Sequence, residues 1–160
     1  VYETSGPVPL IRYTEQLQQG FDQGGYLGMR YLKNVRKGDK RVIVANGEIL
    51  GAVLRMPARG SWLCNASQGG RAKLSKADAR EQAMARDLSE VLLPKGIAMF
   101  GMDTLVNDDG QRVLSEINTM SIGGVTPLQE LSGKPMVRRA ASLLLDYLHQ
   151  APAALPVCSE

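Results

Sequence analysis

Asn46-Gly47 stands between two apolar-rich runs, Arg41–Ala45 and Glu48–Arg55. An Asn-Gly pair accepts the positive φ values that a two-residue type I′ turn demands, and that turn twists with the strands it joins. The spacing predicts a β-hairpin, and so an antiparallel sheet at the centre of the fold.

A second pair of runs supports this. Met99–Asn118 reads MFGMDTLVNDDGQRVLSEIN, with Asn107-Asp108-Asp109-Gly110 as turn-forming residues between two strand-like segments. Glu116 and Asn118 are two residues apart, so a strand points both to one face. With residues 107–110 as the loop, Val106 pairs with Gln111, Asp103 lies opposite Leu114, and Asp103 shares the face of Glu116 and Asn118. Carboxylates among apolar neighbours such as Met99, Phe100 and Ile117 call for a partner or a cation. A few hard oxygen ligands suit Mg²⁺, which completes its shell with waters and phosphates. A solvated hairpin face with incidental acids fits the spacing as well, and both readings stay open.

The remaining elements follow from caps and breakers. Thr14 caps a short helix through Phe21, Gly24-Gly25 ends it, and Tyr26–Leu32 reads as a strand. Residues 57–73 (PARGSWLCNASQGGRAK) lack either period, and a loop of that length is commonly a functional lid or a disordered segment. Ser75 followed by Asp78 resembles a capping box for a helix to Leu92, burying Ala79, Ala83, Leu88, Val91 and Leu92 and ended by Pro94 and Gly96. Thr126-Pro127 opens a short helix, with Pro at its first position and Gln129 closing the cap. Lys134-Pro135 starts a last helix to His149 that buries Val137, Ala141, Leu144, Leu145 and Leu148. The expected class is α+β: an antiparallel sheet of strands near 26–32, 41–45, 48–55, 97–106 and 112–118. Helices 75–92 and 134–149 are expected on one side, leaving the other open to a nucleotide, and 151–160 forms a flexible tail.

Composition narrows the chemistry. The 160 residues suit one domain, and a net charge of +3 without any block of like charge gives nucleic acid no footprint. Cys64 and Cys158 have no metal-like spacing, which leans to a reducing, cytoplasmic compartment. No apolar run reaches the roughly 18–20 residues of a membrane span. The single histidine, His149, closes the last helix, where a favourable dipole contact explains it, so no Ser–His or Cys–His pair is in sight. Neither phosphate-loop signature is present. Ser121 and Gly123-Gly124 precede a helix start, where backbone N–H groups can hold an anion; a plain helix start fits equally. The acidic hairpin, a Gly-rich loop and Lys40, Arg41, Arg55 and Arg71 together suit phosphoryl transfer, where positioning and charge neutralisation dominate.

The order of motifs resembles bacterial glutathione synthetase, a family of ATP-grasp ligases. The motifs are Tyr31-Leu32, Gly38–Arg41 (GDKR), Asn46–Glu48, Leu54–Pro57, Asn65 with Gly69-Gly70-Arg71, Gly101–Asp103 and Glu116–Asn118 (EIN). The resemblance spans residues 26–149 and implies the C-terminal portion of an ATP-grasp domain in a longer chain. It implies that Met29, Arg30, Tyr31 and Leu32 contact adenine, that Asp39 holds the ribose hydroxyls, and that Lys40, Arg41 and Arg55 lie near phosphates or an acyl phosphate. Segment 57–73 would be a mobile lid carrying Asn65 and Arg71, and Asp103, Glu116 and Asn118 would bind Mg²⁺ or Mn²⁺. The implied reaction joins γ-glutamylcysteine to glycine with ATP as co-substrate. TMSIGGV departs from the family's Ser-Pro segment where Ser121, Gly123 and Gly124 would meet the peptide, which leaves another acid and amine open. A non-catalytic nucleotide- or partner-binding module is a further alternative. Expected partners are small molecules, with neither nucleic acid nor membrane, and homo-oligomerisation is left open.

Overall fold

The computed structural model describes Gln18, Gly24 and residues 32–57, 71–120 and 122–150. The chain divides into two compact units, Val1–Tyr31 and Leu32–Glu160, and the architecture below is that of the second. Apart from helical Gln18, the expected helix 14–21 lies outside the described residues, as do strand 26–32 up to Tyr31, most of the expected lid, and the tail.

Five antiparallel strands form one sheet: β1 (Asp39–Ala45), β2 (Glu48–Met56), β3 (Arg71–Ser75), β4 (Met99–Val106) and β5 (Arg112–Asn118). Their order is β3-β2-β1-β4-β5. Asn46 and Gly47 join β1 to β2 with φ of 45° and 76°, as a type I′ turn requires. Central β1 is hydrogen-bonded on both edges, and Val42, Ile43, Val44 and Ala45 are fully buried.

β3 corrects the sequence reading. The sequence pattern places Arg71–Lys73 in a loop, yet these residues pair with Leu54–Met56. The strand lies on the sheet edge with its first four residues exposed, so no apolar alternation marks it. Its end at Ser75 moves the helix cap as well. Helix α1 (Ala79–Leu92) is capped by Asp78, whose carboxylate accepts from Glu81 N at 2.9 Å while Glu81 Oε2 accepts from Asp78 N at 2.9 Å. The buried stripe is accordingly Glu81, Ala85 and Ser89 with Met84, Leu88 and Leu92 alongside; Ala79 and Val91 face solvent. Pro94 and left-handed Gly96 end this segment as expected.

Helix α2 (Val125–Ser132) starts from Gly124 without a side-chain cap, which places Pro127 third rather than first, where its missing N–H still costs no helical bond. Gln129 caps the next helix instead, accepting from Val137 N at 3.2 Å. Helix α3 (Met136–Gln150) buries Ala140 and Leu143, with Met136 packed beside them. The expected stripe is turned outward: Val137, Leu145 and Leu148 are 50%, 56% and 60% exposed.

The helices do not share one side of the sheet. α1 covers the face of Val42, Val44, Ala52, Phe100 and Met102. α2 and α3 cover the face of Ile43, Ala45, Leu50 and Val53. Each face carries alternate apolar residues of β1 and therefore needs its own cover. On the second face the helices sit over the Ile43–Ala45 end, and the Asp39–Arg41 end bears charged side chains.

Candidate phosphate- and metal-handling site

The pleat of β1 sends Asp39 and Arg41 to one face and Lys40 to the other. Registry with β2 puts Arg55 opposite Asp39, and registry with β4 puts Asp103 opposite Arg41. Four charged side chains thus meet on three neighbouring strands. Arg41 grips Asp103 with two bonds, Nε to Oδ1 at 2.8 Å and Nη2 to Oδ2 at 2.6 Å, and Nη1 donates to the Gly123 carbonyl at 3.2 Å. Arg55 Nη2 donates to Asp103 Oδ2 at 2.9 Å and also pairs with Asp39 Oδ2. The hydrogen bond to Asp103 raises the pKa of Arg41 above its usual value. Burial pushes the Asp39 carboxyl up, against the pull of Arg55 and with the push of Asp103. Asp39 Oδ1 and Arg55 Nε are buried without a hydrogen-bond partner among the described residues. Such atoms are costly to leave unpaired, which sets this cluster apart from a closed ion-pair network.

Glu116 and Asn118 join this face by a different route from the expected one. The loop runs one residue longer, closed by Asn107 N to Gln111 O at 2.8 Å, so Val106 pairs with Arg112. That shift alone would turn Glu116 to the opposite face. A bulge at Ser115 restores it: Thr104 pairs with Leu114, while Asp103 pairs with Glu116 and Gly101 with Asn118. Asp103, Glu116 and Asn118 therefore share one face, as expected, with Glu116 exposed. Among the described residues no group of three His, Cys, Asp or Glu side chains is placed to hold a metal ion. Both oxygens of Asp103 already accept from Arg41 and Arg55, so by residue type alone Asp103, Glu116 and Asn118 match the small oxygen set that Mg²⁺ accepts when phosphates complete its shell.

Two expected members stand elsewhere. Lys40 is buried on the α1 face, with Nζ 2.6 Å from Glu81 Oε2 and 3.0 Å from Lys76 O. Starting the strand at Arg41 left Lys40 out of the alternation that directs it there. Arg71 is exposed and pairs with Met56, which by registry sets it on the Lys40 face. Leu32 is half-buried and its carbonyl accepts from Val35 N at 3.1 Å. Gly123 turns a carbonyl, not an N–H, toward Arg41. At Gly124 φ is 117°, and an added Cβ would lie 3.3 Å from Arg41 Cδ, so glycine lets the helix start approach this side chain. Met29, Arg30, Tyr31, Asn65 and Ser121 lie outside the described residues. Sequence reasoning missed Glu81 and Thr104 as partners of Lys40; the signal was the pattern Asp78-x-x-Glu81, which names the true cap.

The fold is that of ATP-grasp proteins. A D-cycloserine synthetase superimposes with a TM-score of 0.51 at 16% identity, over 73% of this chain and 41% of the other. A Chryseobacterium gregarium RiPP-associated ATP-grasp ligase, solved with ADP and leader and core peptides, gives 0.51 at 16% identity over 75% and 35%. Within this class the sequence pattern of the prokaryotic glutathione synthetase ATP-grasp domain matches residues 14–133, and the chain belongs to that family. Glutathione synthetase of Prochlorococcus marinus is 33% identical over 144 residues, 90% of this chain and 45% of its own length. The Mesorhizobium japonicum enzyme is 36% identical over 121 residues, 76% of this chain and 36% of its own. The chain thus spans less than half the length of these curated relatives. No helix among the described residues is long and apolar enough to cross a membrane.

Proposed function

We propose that the chain supplies the phosphate- and metal-handling part of an ATP-dependent carboxylate–amine ligase of the glutathione synthetase kind, working in the cytoplasm. The carrying observation is the cluster of Asp39, Arg41, Arg55 and Asp103, with two buried polar atoms unpaired among the described residues, on the sheet face that Glu116 and Asn118 share. Arg41 and Arg55 place positive charge on the face where phosphates would lie, held there by Asp103 rather than by solvent. Asp103, Glu116 and Asn118 would hold Mg²⁺ or Mn²⁺, which when bound neutralises charge on the phosphates. Asp39 would direct its open oxygen to a ribose hydroxyl, and residues 29–32 would hold adenine. Segment 58–70, with Asn65, would close over the reacting carboxylate and exclude water. The substrates assigned to the whole enzyme are γ-glutamylcysteine and glycine. TMSIGGV after Asn118 favours, as a second reading, another acid and amine in the same reaction.

Equilibrium binding of ATP to the 160-residue chain, with and without Mg²⁺, tests the site. Tighter binding with Mg²⁺ is expected, and its absence would remove the reading. In the longer enzyme, Glu116→Gln is expected to abolish phosphoryl transfer with the fold unchanged. ADP release at the parent rate from that variant would take Glu116 out of the mechanism. Panels of acids and amines in the same assay separate the two substrate readings.

A further inference from the structure

Behind the site, on the α1 face, lies a buried polar cluster that phosphate chemistry leaves unused. Glu81 is fully buried, and its Oε1 accepts from Thr104 Oγ1 at 2.6 Å. Its Oε2 accepts from Lys40 Nζ at 2.6 Å and from Asp78 N at 2.9 Å. Lys40 Nζ donates a second bond to Lys76 O, in the link that follows β3.

The placement of these partners carries the inference. Lys40 and Thr104 are cross-strand neighbours, and the next rung along is Arg41 with Asp103. One rung faces back and is fastened by Glu81; the next faces forward and carries the bidentate pair. The bulge at Ser115 interrupts the pairing of β5 with β4 between Asp103 and Thr104. Ladder bonds are therefore disturbed where Asp103 must be held most closely. A carboxylate joined to β1, β4, the link after β3 and the start of α1 compensates from behind.

We propose that Glu81 is a positioning residue for the Arg41–Asp103 pair, acting through Lys40 and Thr104, and so for the phosphate site of the preceding section, on which the nucleotide arm of the test rests. The cluster fixes the spacing of β1 and β4 at the rung beside the site. It also anchors the end of the edge strand β3, through Lys40 and the Lys76 carbonyl.

The test uses the full 160-residue chain with two readouts: the ¹⁵N-detected Nε–H resonance of Arg41, which reports its bond to Asp103, and the Kd for ATP with Mg²⁺. Truncating Glu81 alone strands a buried ammonium, so Lys40→Met/Glu81→Leu/Thr104→Val replaces the whole cluster with apolar groups of similar volume, a change buried ion pairs tolerate. It is expected to melt no lower than the parent, yet to shift or broaden the Arg41 signal and weaken ATP binding about tenfold, since small misplacements of a supporting shell carry such costs. Thr104→Val cuts only the link to β4 and carries the test if the triple variant does not fold, with a several-fold loss expected. Thr104→Ser keeps the hydroxyl and is expected to restore parent values. A folded triple variant or Thr104→Val with the parent's Arg41 resonance and ATP affinity would overturn the positioning role. A parent that binds no ATP, while its Arg41 signal still responds to Thr104→Val, would overturn the nucleotide reading and leave the positioning role standing.

Discussion

The run Gly38-Asp39-Lys40-Arg41 feeds two ionic clusters that lie back to back across one sheet. The rear one, Lys40 with Glu81 and Thr104, is closed: each oxygen of Glu81 has donors within 3.0 Å. The front one, Asp39 and Arg55 with Arg41 and Asp103, is tightly paired but unfinished, with Asp39 Oδ1 and Arg55 Nε left over. Both contain short charge pairs, so pairing alone does not mark a functional site. The difference lies in what remains unpaired once the protein has folded.

This contrast can be broken in three ways. Glu81→Leu should have the largest effect on stability, because the Lys40 ammonium stays buried with only a carbonyl for company. Removing one partner of a buried ion pair costs about 3–5 kcal/mol. That is a large part of the whole for a domain held by ~5–15 kcal/mol. Urea unfolding measures it, and a midpoint near that of the parent would show the rear cluster to be less closed than described.

Asp39→Asn sharpens the contrast from the front, with a smaller effect that depends on pH. Asp39 has a folded pKa raised above its ordinary value of 3.8. The folded state therefore binds a proton more tightly than the unfolded chain, and stability attributable to this group falls as pH rises from 3.8 towards the folded value. Parent minus variant stability should decline over that interval and then level off. A difference that rises instead would mean that Arg55 outweighs burial.

Arg139→Ala should do least. Its guanidinium meets Glu48 at 2.5 Å, yet this pair is half exposed and screened by water. No measurable change in unfolding midpoint is expected. A clear loss would mean that pair geometry, not burial, separates the clusters.

Much of the front cluster was legible in the sequence, for local reasons. The Asn46-Gly47 turn fixes the pairing of β1 with β2, and the period of two then sets Arg41 apart from its neighbours. The expected strand begins at Arg41, two residues after the observed start at Asp39, and so leaves Lys40 without a face. β3 was not legible, since an edge strand exposed along most of its length has no pattern to read, and that omission shifted the cap from Asp78 to Ser75. Helix α3 fails differently. Met136, Ala140 and Leu143 form one helical stripe and Val137, Ala141, Leu145 and Leu148 another. Periodicity admits both, and only docking on the sheet chooses between them.

The Ser115 bulge bears on how this hairpin tolerates change. Paired residues share a face, so Glu116 and Asn118 stay beside Asp103 through the pairing beyond the bulge and not through the length of the turn. Removing Ser115, or adding a residue within 107–111, would leave both oxygen donors in place, whereas a one-residue slip of the pairing itself would turn them to the other side of the sheet. The hairpin can therefore change length at its tip or at its bulge and still present the same three side chains, a tolerance that belongs to the ladder and not to the turn.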